Sequence, residues 1–370
     1  VTTRREVAVL AAGLGVFLAL SITSLRQQAA TYDEGAHLPA GYTYLVTGDH
    51  RLNPEHPPLA KLIAAAPLLV VGSVSFDRQD HAWATGRQWE LGRRFLYAWN
   101  DADRLLFLGR LPIVVLALGL CVATAGWTRA RFGPAAGTGA LVLAAFSPEV
   151  LAHGQLVTTD LALALFFFLS VIGWDAWLRR PTGRGLLLAG LALGAAMATK
   201  FSALVLLPVL ALLAFTAVAG ARERATSARR VAGSFLGVSL LAWALLWASY
   251  GFARPLSAEP SVRAELLATT LAQEDRGVVA HLVLAAEAAH LLPEAYTRGF
   301  LFAYRHAEKR PTFLLGEVHE DGSALFFPVS FALKTPVPLM LLVALALAFA
   351  WRKGAGWRDE AVLWLPVLGY

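Results

Sequence analysis

Two short stretches place ionisable side chains where chemistry can be done. Thr31-Tyr-Asp-Glu-Gly-Ala-His37 carries Asp33, Glu34 and His37, and Asn53-Pro-Glu-His-Pro-Pro58 carries Glu55 and His56. They follow directly on an apolar segment, where charge is costly unless it binds or reacts with something. A carboxylate there can take a proton from an acceptor or orient it. Pro57 and Pro58 fix the backbone and hold Glu55 and His56 in an extended turn. Glu55 and His56, with His37, are also candidate ligands for a divalent metal, although the spacing matches no strong metal pattern.

Three more charges complete the candidate set. Asp160 ends the connector Ser147-Pro-Glu-Val-Leu-Ala-His-Gly-Gln-Leu-Val-Thr-Thr-Asp160 and opens the apolar run through Phe166–Phe168. It either caps that helix or, with Thr158 or Thr159 capping instead, is free for chemistry. Lys200, in Ala-Thr-Lys-Phe-Ser, and Lys334, in Phe-Ala-Leu-Lys-Thr-Pro, interrupt apolar runs. Lys200 either snorkels or meets a phosphate, and Lys334 calls for a carboxylate or phosphate partner. Carboxylates on one side and cations on the other meet the needs of sugar transfer from a lipid phosphate: a proton acceptor, and positive charge for the departing phosphate.

The elements that must position these groups are membrane helices. The chain is 57% hydrophobic and 16% charged, too apolar for a soluble domain. Its net charge of +6 sits in short Arg/Lys clusters between apolar runs, with no basic, aromatic-interleaved stripe, which excludes nucleic acid as a partner. Cys121 is the single cysteine, so no intrachain disulfide forms. No phosphate-binding glycine loop or dinucleotide fingerprint is present.

Spans of roughly 20 apolar residues are expected at 7–24, 105–127, 134–150, 157–178, 231–252 and 326–350. The run 185–219 breaks at Lys200 into a hairpin of two short helices. The first span, behind Arg4 and Arg5, reads as an uncleaved signal anchor. With eight spans and a cytoplasmic N-terminus, the clusters Arg129/Arg131, Arg179/Arg180/Arg184, Arg222/Arg224/Arg229/Arg230 and Arg352/Lys353/Arg358 all fall inside, whereas connector 151–156 has no Lys or Arg. Two large extracytoplasmic loops, 25–104 and 253–325, then face outward. The first includes Leu59–Val71, too short to span and expected in the interface, and Trp83, Trp89, Tyr97 and Trp99, expected in an interfacial belt. The run 361–370 begins a further apolar segment and stops, so the expectation is a single transmembrane domain over 1–370, C-terminally incomplete.

Asp33-Glu34 after the first span, Pro54-Glu-His-Pro-Pro58, Thr-Thr-Asp160 and Ala198-Thr-Lys-Phe-Ser resemble, in this order, the phospholipid-carrier-dependent glycosyltransferases of the GT-C superfamily. These include the protein O-mannosyltransferases and lipid A aminoarabinose transferases of glycosyltransferase family 39. Leu292-Pro-Glu-Ala-Tyr-Thr-Arg-Gly299, Phe313-Leu-Leu-Gly316 and Phe326-Phe-Pro-Val-Ser-Phe-Ala-Leu-Lys-Thr-Pro336 extend the resemblance over nearly the whole chain. It implies an all-α polytopic, GT-C-like fold in a bacterial-type plasma membrane. It also implies inverting transfer of a hexosyl or pentosyl unit from a polyprenyl-phosphate sugar to a lipid, glycan or protein hydroxyl outside. On that pattern Asp33 is the leading catalytic carboxylate, Asp160 the second and Glu55 the acid of the proline-rich turn. Lys200 meets the carrier phosphate, and His56 stands where the aminoarabinose enzymes carry lysine. Glu34, His37, His56, Lys200 and Lys334 are the expected substrate-binding residues.

The rival class is a transporter or flippase of a lipid-linked or anionic solute, using the same cations without making a bond. Transporter carboxylates usually lie near the midplane in discontinuous helices. Here they cluster at one face, which favours the enzyme.

Overall fold

Apolar runs that meet lipid must satisfy their own backbone, and they do so here as helices. The computed structural model describes residues 4–220, 228–271, 277–308, 311–353 and 357–370. Helix α1 (Arg4–Leu25) is the first span. The stretch 25–104, expected as a loop, folds into α2 (Glu34–Thr47), α3 (Leu59–Val70), α4 (His81–Ala84) and α5 (Gln88–Tyr97). Helix α2 ends at Gly48, whose left-handed backbone (φ 69°) lets its N–H reach the Tyr44 carbonyl. A Cβ on Gly41 would lie 2.1 Å from the Lys61 oxygen, and one on Gly92 would lie 1.8 Å from the Gly35 oxygen. Glycine therefore lets α3 and α5 close directly onto the α2 backbone.

Helix α3 is accordingly not a peripheral interfacial helix. It packs against α2 and against α6 (Ala102–Phe132), with Lys61 buried inside. Trp83 also leaves the expected belt: it is buried, with the Arg51 guanidinium 4.1 Å over its ring. Trp89 instead lies tilted against Tyr32, ring centroids 4.1 Å apart and planes 31° from parallel.

The expected span 134–150 divides into α7 (Pro134–Ala145) and α8 (Pro148–His153), because Pro148 starts a new helix after the Phe146-Ser147 break. Helix α9 (Asp160–Arg179) spans, and α10 (Gly183–Met197) packs between it and α12 (Ala228–Ser249). After Lys200, a 3-10 turn (Phe201–Val205) leads into α11 (Leu206–Gly220), so the break at Lys200 is present. The two arms turn to different neighbours, α11 lying against α9 and α18 (Trp357–Gly369). Arg222 and Arg224, and the side chains of Arg352, Lys353 and Arg358, lie outside the described residues.

The stretch 253–325 holds α13 (Pro260–Leu271), α14 (Val278–Ala288), α15 (Glu294–Glu308) and a hairpin of β1 (Thr312–Leu314) and β2 (Glu317–His319) in the register Thr312↔His319. The expected span 326–350 is two helices, α16 (Phe326–Lys334) and α17 (Val337–Lys353), bent 107° apart. Pro336 explains the break: it cannot donate to the ladder and disfavours helix at Thr335. Among the described residues, five helices are long and apolar enough to cross a membrane, six with the bent pair. The architecture is an all-α polytopic membrane protein.

Two apolar cores hold it. Phe17, Leu38, Leu68, Phe95 and Ile113 unite α1, α2, α3, α5 and α6. Trp174, Trp177, Leu193, Leu210 and Val238 unite α9 to α12. A third cluster of Ala198, Phe201, Leu246, Tyr250 and Tyr296 joins the ends of α10 and α12 to α15. The acidic motifs and Lys200 gather at that end of the helices, whereas Arg129, Arg131 and Arg179 pair with Glu6 and Asp175 at the other.

Candidate functional site

The wall of the site is one buried ion pair. Arg110, on α6, donates Nε–H to Glu34 Oε1 (2.8 Å) and Nη2–H to Oε2 (2.7 Å). Its other donors reach the carbonyls of Leu25, Gln28 and Ala29, each at 2.9 Å. A fork with every donor used is the geometry that makes a buried charge tolerable. Glu34 also accepts from the amides of Thr31 and Val157. Burial alone would raise its carboxyl; the Arg110 hydrogen bond, these amides and the Arg110 charge outweigh that and hold it below the usual range. Glu34 is 0% exposed and its carboxylate is engaged by Arg110 and two amides, so the fold itself takes up the bonds expected for a substrate.

That wall presents Asp33. It stands before the first turn of α2, is exposed, and its carboxylate makes no hydrogen bond or ion pair among the described residues. His37, one turn on, is buried, and its Nδ1–H donates to the Val157 carbonyl (3.0 Å), which leaves Nε2 as the bare nitrogen. The His56 ring meets it edge-on, centroids 5.5 Å apart. Burial, and then the Lys61 charge, push His37 down to about 4. Burial, with His37 and the Lys61 and Lys200 charges, pushes His56 down to about 3. Both imidazoles are neutral hydrogen-bonding groups at neutral pH.

Beneath the proline-rich turn lies Lys61. Its ammonium, 1% exposed, donates to the His56 carbonyl (2.7 Å), the Asn53 carbonyl (2.9 Å), Asn53 Oδ1 (3.0 Å) and Tyr44 Oη (3.0 Å). The turn is thus stapled from below. Asn53 sustains a left-handed backbone (φ 47°) there, a conformation asparagine tolerates better than most residues. Glu55 accepts from Gln88 Nε2 (3.0 Å), and Gln88 accepts from Asn53 (2.9 Å). The Leu59 amide donates to the Ala198 carbonyl (2.8 Å), binding the turn to the segment that carries Lys200. A Cβ on Gly299 would lie 2.5 Å from the Pro54 oxygen, so α15 closes on the turn from the other side. Farther along, Arg51 donates to Asp49 and Glu259, both at 2.7 Å, and clasps 25–104 to 253–325.

Asp160 and Lys200 meet each other. Lys200 Nζ lies 2.5 Å from Asp160 Oδ1, with the Asp160 side chain 52% exposed. Thr159 is the cap residue of α9 and makes no side-chain cap bond, so the Asp160 carboxylate serves Lys200 rather than the helix end. The Asp160 and Lys200 charges both act on His56, and Asp33 and Asp160 both act on His37. Residues far apart in sequence therefore converge: Asp33, His37, His56, Asp160 and Lys200, with Glu55 at the adjoining turn.

Lys334 does not join them. It ends α16 at the 107° bend, is exposed, and has no ion-pair partner among the described residues. Nor do three His, Cys, Asp or Glu side chains gather to hold a metal among the described residues. Glu55 and His56 therefore lack the third such ligand a divalent site would ordinarily use. Sequence reasoning passes over Lys61 and Arg110. Their signal was available: each is a lone cation inside an apolar run, costly unless paired.

Residues 104–247 match the family model of dolichyl-phosphate-mannose-protein mannosyltransferase. No curated protein matches the chain. The S. cerevisiae protein O-mannosyltransferase Pmt1-Pmt2 complex bound to the sugar donor has a similar structure, with TM-score 0.53 and 16% identity, covering 68% of this chain. At that identity the likeness is one of fold, and the chain spans 34% of the length of that relative. The resemblance to the GT-C glycosyltransferases is supported twice, by the family model across the membrane core and by the fold.

Proposed function

We propose that this chain is a membrane glycosyltransferase that moves a sugar from a polyprenyl-phosphate carrier to an acceptor hydroxyl at the outer face of a bacterial-type plasma membrane. The observation that carries it is an exposed, unbonded Asp33 one helical turn before His37, whose ring meets His56 edge-on, with the Asp160–Lys200 pair acting on His56. A proton acceptor and a cation for phosphate thus stand on two sides of one site.

In the reaction the Asp33 carboxylate takes the proton of the acceptor hydroxyl. The acceptor oxygen attacks the anomeric carbon from the face opposite the phosphate. The carbon–oxygen bond to phosphate breaks, its electron pair leaves on the carrier phosphate, and the configuration inverts. Lys200 stabilises the negative charge that develops there, and Asp160 holds Lys200 in place until it does. His37, neutral and buried, accepts from a substrate hydroxyl at Nε2, and the half-buried, neutral His56 stands beside it, neither competing for the proton. Glu55 fixes the turn through Gln88, and Arg110–Glu34 sets the rigid wall behind Asp33.

The test is donor consumption by the full protein in liposomes, with labelled polyprenyl-phosphate hexose and membrane extract as acceptor. Asp33→Asn is expected to lower consumption about 100- to 10,000-fold, the usual worth of a positioned base. Lys200→Ala is expected to lower it about 100-fold. Donor left intact but carried between leaflets would overturn the transferase and establish the transporter.

A further inference from the structure

A cavity of about 300 Å3 lies apart from Asp33, where the ends of α3 and α5 meet the start of α6. Its lining includes Ser73, Trp99, Asn100, Asp101 and Arg104. The volume is at the lower end of the range for small-molecule pockets. Its frame is built: Asn100 Oδ1 accepts from the Ser75 amide (2.7 Å), and Nδ2 donates to the carbonyls of Ser75 (2.9 Å) and Phe95 (2.8 Å). Gly72 and Ser73 turn the chain there with consecutive left-handed backbones, φ 64° and 62°.

Other groups at this rim are unspent. Asp101 uses one carboxylate oxygen to cap α6 through the Arg104 amide (3.1 Å). Its second oxygen, the Arg104 guanidinium and the Ser73 hydroxyl have no hydrogen-bond partner among the described residues. A donor fan and an acceptor thus stand within four positions of each other beside an indole wall. Asp101 and Asp103 both precede Arg104, the one cation in the lining, so the local charge opposes a phosphate. A neutral polyol suits both signs. Each sugar hydroxyl both donates and accepts, and the C–H face of a pyranose is apolar enough to lie on an aromatic ring.

Helix α5 links this cavity to the candidate active site. At its start Trp89 touches Tyr32, next to Asp33, and at its end the chain enters the cavity at Ala98. At 1.5 Å rise per residue these points lie roughly 14 Å apart. We propose that the cavity is a saccharide-binding subsite, where Asp101 and Arg104 bridge hydroxyls of a neutral acceptor glycan whose remote end reaches Asp33. The subsite rests on the glycosyl-transfer reading for the word acceptor, and on the cavity for the saccharide.

Saturation-transfer NMR of the full chain in nanodiscs of zwitterionic lipid tests it, with chitobiose and mannobiose as probes and thermal unfolding as the folding control. The expected result is saturation of at least one disaccharide by the wild type. Arg104→Gln and Asp101→Asn each weaken it at least tenfold without lowering the unfolding temperature, and Lys334→Ala leaves it unchanged. No saturation of either disaccharide, or equal saturation by Arg104→Gln, overturns the proposal. So does displacement by a threonine-rich peptide, which would make the occupant a polypeptide. Loss of binding when phosphatidylglycerol is added would make the occupant a lipid headgroup and overturn it as well. Failure of the transfer reading shows differently: donor stays idle while the disaccharide still binds.

Discussion

Asp33 and Glu34 are neighbours in sequence and opposites in use. Glu34 is fully buried, meets both edges of the Arg110 fork and accepts from two backbone amides. Asp33 is exposed, with no hydrogen bond or ion pair among the described residues. One carboxylate builds the wall and the other is presented by it. A charge whose bonds are all satisfied by the fold has little left to offer a substrate, whereas an unspent charge on a rigid mount can act. The same contrast separates Lys61, enclosed by four acceptors, from the partly exposed Lys200.

The contrast breaks most sharply in a pair of variants. Arg110→Met leaves Glu34 buried without its partner and is expected to destabilise the fold by about 3–5 kcal/mol. Asp33→Asn should leave stability within about 0.5 kcal/mol, as an exposed, unbonded site does. Thermal or denaturant unfolding in lipid compares the two directly. Equal losses would erase the distinction between wall and rim.

A smaller effect sharpens it through pH. His37 and His50, buried, and His56, half-buried, are depressed to about 4, about 4 and about 3. In the unfolded chain they take up protons near pH 6.5, while in the fold they stay neutral until far lower. Their stabilising contribution is complete above pH 6.5 and is lost as pH falls towards 4 and 3. The slope is at most about 1.4 kcal/mol per pH unit for each histidine. Unfolding measured at pH 7.5, 6 and 5 should show this decline, and His37→Gln should flatten part of it.

The smallest effect is expected from Lys334→Ala. Exposed at the bend, Lys334 should change stability by less than about 0.5 kcal/mol and leave donor consumption within twofold. A larger loss would return Lys334 to the site.

Much of the candidate site was legible because its residues are costly where they stand. Asp33, His37, His56, Asp160 and Lys200 could be singled out by charge and by the prolines beside them, and the structure brings them together. The rule that a charge in an apolar run needs a partner holds for Arg110 and Lys61. For Lys334 no such partner is found among the described residues, and Pro336 ends its helix two positions on. Composition also could not tell that 25–104 is four helices, three of them packed on α6, rather than a loop on the surface.

The sequence by itself determined a helical membrane chain and the kinds of groups gathered at one end of it, since hydrophobicity and the cost of charge are local properties. Only the tertiary structure decided which charge answers which. Glu34 found Arg110, 76 positions away, and Asp160 found Lys200, 40 positions away. Such pairing depends on how α2, α6, α9 and α10 close on one another, and periodicity along a single helix does not encode the neighbour it will meet.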